Sequence, residues 1–380
     1  MTNEMTDFLT LKLGIAGTAK NTGKTTVTAA ILAELRQRGK AFCLTSIGYD
    51  GENLDNVTGL PKPRLHVEPG DLVATAEKCL AAGTAKLKLL AQTSIRTPLG
   101  RIFLGRVTAP GLVVTAGPNK RAEVRALAGC LAGLGADTLL LDGAMNRIAP
   151  MVEADGFILA TGAARDPDIF RLARETGYIW RLTALPALPG ASRLAVRNYQ
   201  GIVALDADME EQKNWPTSSL LTEEDVGQIL SELKEPLPAG GYLYVPGIIS
   251  SRALAGLAER LSSRKNPLWL VFADPIKLLV AGQAETFCRL LAQLPAAVTV
   301  AVLKRAQLLA VTVNPFYPEY RFETQTYKPA SVDAASLRAA VQQAVPVPVF
   351  NVVEDGAAGL VDAVLKQISC QPPAVGNFFF

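Results

Sequence analysis

The sequence predicts an α/β protein: a mostly parallel sheet, followed by a second α/β unit. Short apolar runs alternate with longer stretches of 3.6-residue periodicity almost from end to end, the pattern of strands joined by crossover helices. A glycine-rich turn separates the first apolar run from the first periodic stretch. The 380 residues are 49% apolar and 19% charged, near the globular average, so the chain can bury a substantial core.

The first half reads as strands at 11–17, 41–47, 111–116, 137–143 and 156–162. From Lys24 to Arg38, Val27, Ile31 and Leu35 share one face and Gly39 follows, which predicts a helix with a glycine terminator. Between 48 and 110 the alternation breaks down. KLKLLAQTSI and RIFLGRV read as a hairpin around Thr97-Pro98-Leu99-Gly100, and the whole segment as an insertion into a first domain over 1–181. Residues 182–222, with LPALPG, DADMEEQ and NWPTSS, read as an irregular linker. Thr222 and Asp225 form a capping-box pattern that opens a helix through Leu233. The second unit, 223–370, has strands at GYLYVPG, PLWLVFA, LLAVTVN and PVPVFNV, with helices at Ser251–Leu261 and Ser331–Val341. Residues 371–380 form a tail to which the sequence assigns no role.

Composition excludes several classes. The 38 Lys+Arg against 35 Asp+Glu are scattered, so no nucleic-acid footprint is expected. The start, MTNEMTDFLTLKLGIAG, lacks the basic flank of a signal peptide, which predicts a cytoplasmic protein. The most apolar later stretch carries Lys304 and Arg305 at its centre, where a bilayer would penalise each by about 2.5–3.5 kcal/mol, so no membrane span is expected. Cys43, Cys79, Cys130, Cys288 and Cys370 are odd in number and widely spaced, as reduced buried thiols are. His66 is the one histidine and no GxSxG elbow occurs, so triads and multi-histidine metal sites have no support.

The strongest signal is Gly17-Thr18-Ala19-Lys20-Asn21-Thr22-Gly23-Lys24-Thr25-Thr26, between a predicted strand and a predicted helix. That is the context of a P-loop, in which successive amides and a helix N-terminus converge on phosphate. Lys24 would bridge the β- and γ-phosphates, Thr25 would complete a Mg²⁺ shell, and Thr26 would stand near the α-phosphate. Lys20 is a further candidate for phosphate contact. The usual GxxxxGK[ST] spacing would place glycine at 18, where this chain has Thr18 after Gly17. Two strand ends offer acidic partners for metal or water. Asp142 closes the apolar run Thr138–Leu141 as a Walker B aspartate does. Asp50 and Glu52 follow the second strand, where an Asp-Gly pair also makes turns.

The arrangement GT-x4-GKT resembles the loop of dethiobiotin synthetase and the cobyrinic-acid amidases, a branch of P-loop NTPases that includes ParA and MinD. Together GTAKNTGKTT, TSIGYDGE, TGLPKPR, TAGPNKR, LLLDGAMNR, ATGA and AVTVNPFYP resemble the ATP-binding subunit of the reactivase serving adenosylcobalamin-dependent lysine 5,6-aminomutase or its ornithine counterpart. That resemblance implies ATP (or GTP) and Mg²⁺, a second reactivase subunit, and a chaperone that exchanges damaged cobalamin from a stalled mutase. Lys24, Thr25 and Asp142 carry over as nucleotide and metal residues, and TGLPKPR, with Lys62 and Arg64, as a contact loop. A dethiobiotin-synthetase-type ligase and a ParA/MinD-like switch ATPase are the competing classes. A glutaminase-coupled amidase needs a cysteine with a histidine partner, which the lone His66 argues against. Asn314, before Pro315, is similar to the asparagine that reads adenine in dethiobiotin synthetase, although Asn-Pro pairs also make turns.

Overall fold

A computed structural model describes residues 11–50, 65–145, 148–233 and 239–369. The chain forms two compact units, one of Met1–Arg174 with Leu308–Phe380, the other of Glu175–Gln307. This differs from the reading of a first domain over 1–181, a linker over 182–222 and a continuous unit over 223–370. Strand Leu308–Asn314 pairs in parallel with Gly156–Gly162, and Val349–Phe350 pairs with Leu308–Asn314 in turn. Hydrophobic periodicity reveals a buried strand but not its neighbour, so the return of the chain to the first sheet left no local trace.

The first unit is mixed α/β, built on a nine-stranded sheet. Its order is Val349–Phe350, Leu308–Asn314, Gly156–Gly162, Leu11–Gly17, Thr138–Ala144, Phe42–Ser46, Leu72–Ala76, Gly100–Ala109, Lys86–Thr97. The first seven run parallel, and Gly100–Ala109 is antiparallel to both of its neighbours, Leu72–Ala76 and Lys86–Thr97. Its central strands are apolar along nearly their whole length because helices cover a parallel sheet on both faces. The expected hairpin around Thr97–Gly100 is present, but it extends the main sheet, so most of 65–110 is an integral edge of the fold rather than an appendage. Helix Lys24–Gln37 buries Val27, Ile31, Leu32 and Leu35. It stops where Gly39 takes φ +64°, with the Lys40 amide donating back to the Leu35 carbonyl at 2.9 Å. Val361 and Val364 of the helix Ala358–Ser369 join the same core.

In the second unit a five-stranded sheet runs Glu211–Trp215, Ile202–Leu205, Gly241–Val245, Leu268–Phe272, Val298–Val302, the last three parallel. The segment expected as a linker holds its two antiparallel strands and the helix Gly190–Val196; each is short and flanked by proline or polar residues, which hid its pattern. The capping box is formed: the Asp225 amide donates to Thr222 Oγ1 at 3.1 Å and the Thr222 amide to Asp225 Oδ2 at 2.9 Å. Val203, Leu205, Tyr244 and Val271 pack together in a core cluster of this unit. Among the described residues no helix is long and apolar enough to cross a membrane.

Candidate functional site

Strand Leu11–Gly17 lies between Gly156–Gly162 and Thr138–Ala144, and the turn Thr18–Gly23 emerges at its carboxyl end to start helix Lys24–Gln37. In open parallel sheets ligands bind outside the carboxyl ends of the strands, where the order changes direction. The order changes here, since the chain's first strand has later strands on both sides.

Several bonds hold the turn. The Thr18 amide donates to the Ala160 carbonyl at 3.0 Å, and its hydroxyl donates to Thr161 Oγ1 at 3.0 Å. Thr22 is buried and its hydroxyl donates to the Ala19 carbonyl at 3.0 Å. Two residues take left-handed backbone, Asn21 at φ +62° and Gly23 at φ +86°. At 23 a glycine is favoured on two counts: the dihedral itself, and a Cβ that would lie a tight 3.2 Å from Asn314 Cβ. Lys20 is exposed at the tip, while Asn21, Thr25 and Thr26 are half-buried.

Lys24 Nζ donates to Asp142 Oδ2 at 2.7 Å, and the two side chains are 13% and 3% exposed. Parallel pairing places Asp142 beside Ser46 on one neighbouring strand and beside Ile15 on the other, three residues before the turn begins. Lys24 and Asp142, 118 residues apart in the chain, are thus brought together. Thr28 completes the group and was not anticipated. Its hydroxyl is fully buried, 3.1 Å from the Lys24 carbonyl and 3.3 Å from Asp142 Oδ1. The available signal was its spacing: four residues after Lys24, it stacks on the same helix face one turn on.

Asp50 has its backbone in the short strand Tyr49–Asp50, paired with Thr115–Ala116, beyond the end of Phe42–Ser46. Its side chain, together with Glu52, Lys62 and Arg64, lies outside the described residues. Asn314 belongs to the first unit, despite its place late in the chain. Its side-chain amide donates to the Asn21 carbonyl at 2.9 Å, within the turn itself. His66 stands in the short strand Leu65–Val67 with Nδ1 3.2 Å from Glu68 Oε1, and the site makes no use of it. Among the described residues no three His, Cys, Asp or Glu side chains converge to hold a metal ion. The arrangement is one cation and one carboxylate at the start of a 14-residue helix, beside a turn of amides with left-handed kinks, and its chemistry suits an anion. Comparison with protein families, curated proteins and solved structures finds no match.

Proposed function

We propose that this chain is a P-loop NTPase and the ATP-binding subunit of a cytoplasmic reactivase for an adenosylcobalamin-dependent aminomutase. The observation that carries the nucleotide reading is the placement of Lys24. It follows a left-handed Gly23 at the first turn of a helix leaving the central strand, with its ammonium 2.7 Å from Asp142. The donor set fits a Mg²⁺ nucleotide, because Mg²⁺ takes few protein ligands and completes its shell with water and phosphate oxygens. Thr25 and Asp142 would hold the metal, with Asp50 as a further ligand, and Gly17 to Thr26 would hold the phosphates. Bound Mg²⁺ would neutralise charge on the β- and γ-phosphates.

This chain's own residues have defined tasks in that reading. Lys24 trades its carboxylate partner for phosphate oxygens. Asp142, held by Thr28, keeps its charge aimed at the end of the strand. Hydrolysis consumes a water that attacks the γ-phosphorus, and the bond to the β–γ bridging oxygen breaks to release diphosphate nucleotide and phosphate. The assignment to a cobalamin reactivase rests on the sequence phrases that run through both halves of the chain. A second reactivase subunit and the mutase are its partners in that assignment.

The test is recovery of a cobalamin-inactivated aminomutase on addition of ATP, Mg²⁺, adenosylcobalamin, this chain and the second subunit. Recovery with the parent protein and none with Lys24→Ala is the expected result. Robust ATP-driven ligation of a small acid without mutase recovery would move the chain to the dethiobiotin-synthetase class.

A further inference from the structure

The turn between strand and helix is fastened from its own side by Thr18 and Thr22, and from a different part of the chain by Asn314. Asn21 sits at φ +62°, a region that asparagine tolerates better than most residues but that still needs support. Its carbonyl accepts the 2.9 Å hydrogen bond from Asn314 Nδ2. A trans peptide is planar, with its C=O and N–H on opposite sides. Holding the Asn21 oxygen therefore fixes the direction of the Thr22 N–H, which must point away from Asn314.

Asn314 is itself rigidly placed. Its Oδ1 accepts from the Phe316 amide at 3.2 Å, and its carbonyl accepts from the Ala163 amide at 2.9 Å. It ends strand Leu308–Asn314 in register with Gly162, and its Cβ backs Gly23. A strand two positions from the central one thus props the phosphate turn at one peptide plane. Both polar atoms of the Asn314 side chain are engaged with main chain in this arrangement.

We propose that Asn314 is a positioning residue of the phosphate turn, orienting the Thr22 amide toward phosphate oxygens, and not a reader of the base. This rests on the nucleotide reading above and assigns one residue's part in it. The two roles separate by ligand: a base reader matters to the choice between ATP and GTP, whereas a turn-positioning residue matters to any polyphosphate.

The test is calorimetric titration of the full-length protein with Mg²⁺–ATP, Mg²⁺–GTP and Mg²⁺–tripolyphosphate. Asn314→Ala is expected to weaken all three by about tenfold, the worth of one net hydrogen bond, with the ATP-to-GTP ratio unchanged. Asn314→Asp keeps the bond to Phe316 but faces the Asn21 carbonyl with an acceptor, and is expected to weaken tripolyphosphate at least as much; it decides the matter if the alanine variant does not fold. Tripolyphosphate affinity within twofold of the parent in a folded variant would overturn the assignment, as would a change confined to the ATP-to-GTP ratio. If the parent protein bound none of the three, the nucleotide reading itself would fall.

Discussion

The ion pair between Lys24 and Asp142 contributes a measurable stability to the protein. Lys24 Nζ and Asp142 Oδ2 are 2.7 Å apart. With an effective dielectric of about 20 their attraction is roughly 6 kcal/mol, much of it offset by the desolvation of both groups. Removing one partner is not symmetric. Asp142 is 3% exposed, so Lys24→Ala removes the cation beside a buried carboxylate, at an expected cost of about 3–5 kcal/mol. Asp142→Asn leaves an ammonium that is 13% exposed and an amide of the same shape beside Thr28, so about 1–2 kcal/mol is expected. The double variant should cost less than the sum of the two, with a coupling of about 1–3 kcal/mol. Tryptophan fluorescence is the wrong probe: Trp180, Trp215 and Trp269 all belong to the unit Glu175–Gln307. Hydrogen exchange followed by mass spectrometry on peptides covering Leu11–Gly17 and Thr138–Ala144 reads the right unit. A loss of 3 kcal/mol should speed their slowest exchange by roughly 150-fold. Lys24→Ala exchanging no faster than Asp142→Asn would refute the claim that the lysine compensates a buried charge.

Two further outcomes follow from the same geometry. Gly23→Ala forces a Cβ into the left-handed region and to 3.2 Å from Asn314 Cβ, so it should cost about 1–2 kcal/mol or more and raise exchange in the first turn of helix Lys24–Gln37, measured on the same peptides. Burial pushes the Cys43 thiol far up, so the unfolded chain ionises it near pH 8.5 while the folded protein keeps the proton. Its contribution is intact below that pH and lost above it. Cys43→Ala should therefore make the alkaline limb of the stability curve shallower, by a slope that approaches about 1.4 kcal/mol per pH unit toward pH 10, in denaturant titrations from pH 8 to 10. Equal slopes would show that this thiol does not ionise on unfolding.

How much of this was legible in the sequence depends on chain distance. Leu11 to Gly39 is a contiguous strand, turn and helix, and its periodicity, glycines and lysine sit where local rules place them. Asp142 was legible too, because a carboxylate ending the apolar run Thr138–Leu141 needs no partner to be recognised as a strand end. Asn314 was visible as a residue but not as a neighbour of the turn. The unit Glu175–Gln307 intervenes between Gly162 and Leu308, and only the backbone register Gly162 to Asn314 reveals the contact. Alternating apolar runs specify element type; pairing comes from long-range packing that no short window contains.

Gly14 shows the same limit inside the central strand, where a glycine is ordinarily a liability. The strands on either side, Thr138–Ala144 and Gly156–Gly162, are parallel, yet only residues 145–155 connect them. Parallel strands usually need a dozen or more residues and a helix to cross over. Here the crossing holds only a five-residue 3₁₀ helix, Ala149–Glu153, and it passes so close to the sheet that a Cβ on Gly14 would lie 2.0 Å from Met151 Sδ. Glu153 anchors the far end of that turn, buried and held by Arg125 at 2.8 Å and Arg121 at 3.3 Å, both on the helix Arg121–Ala132. The missing side chain at 14 thus lets the chain step across the strand that carries the turn Thr18–Gly23. That step puts Asp142 on one side of the turn and Gly162, with Asn314 behind it, on the other.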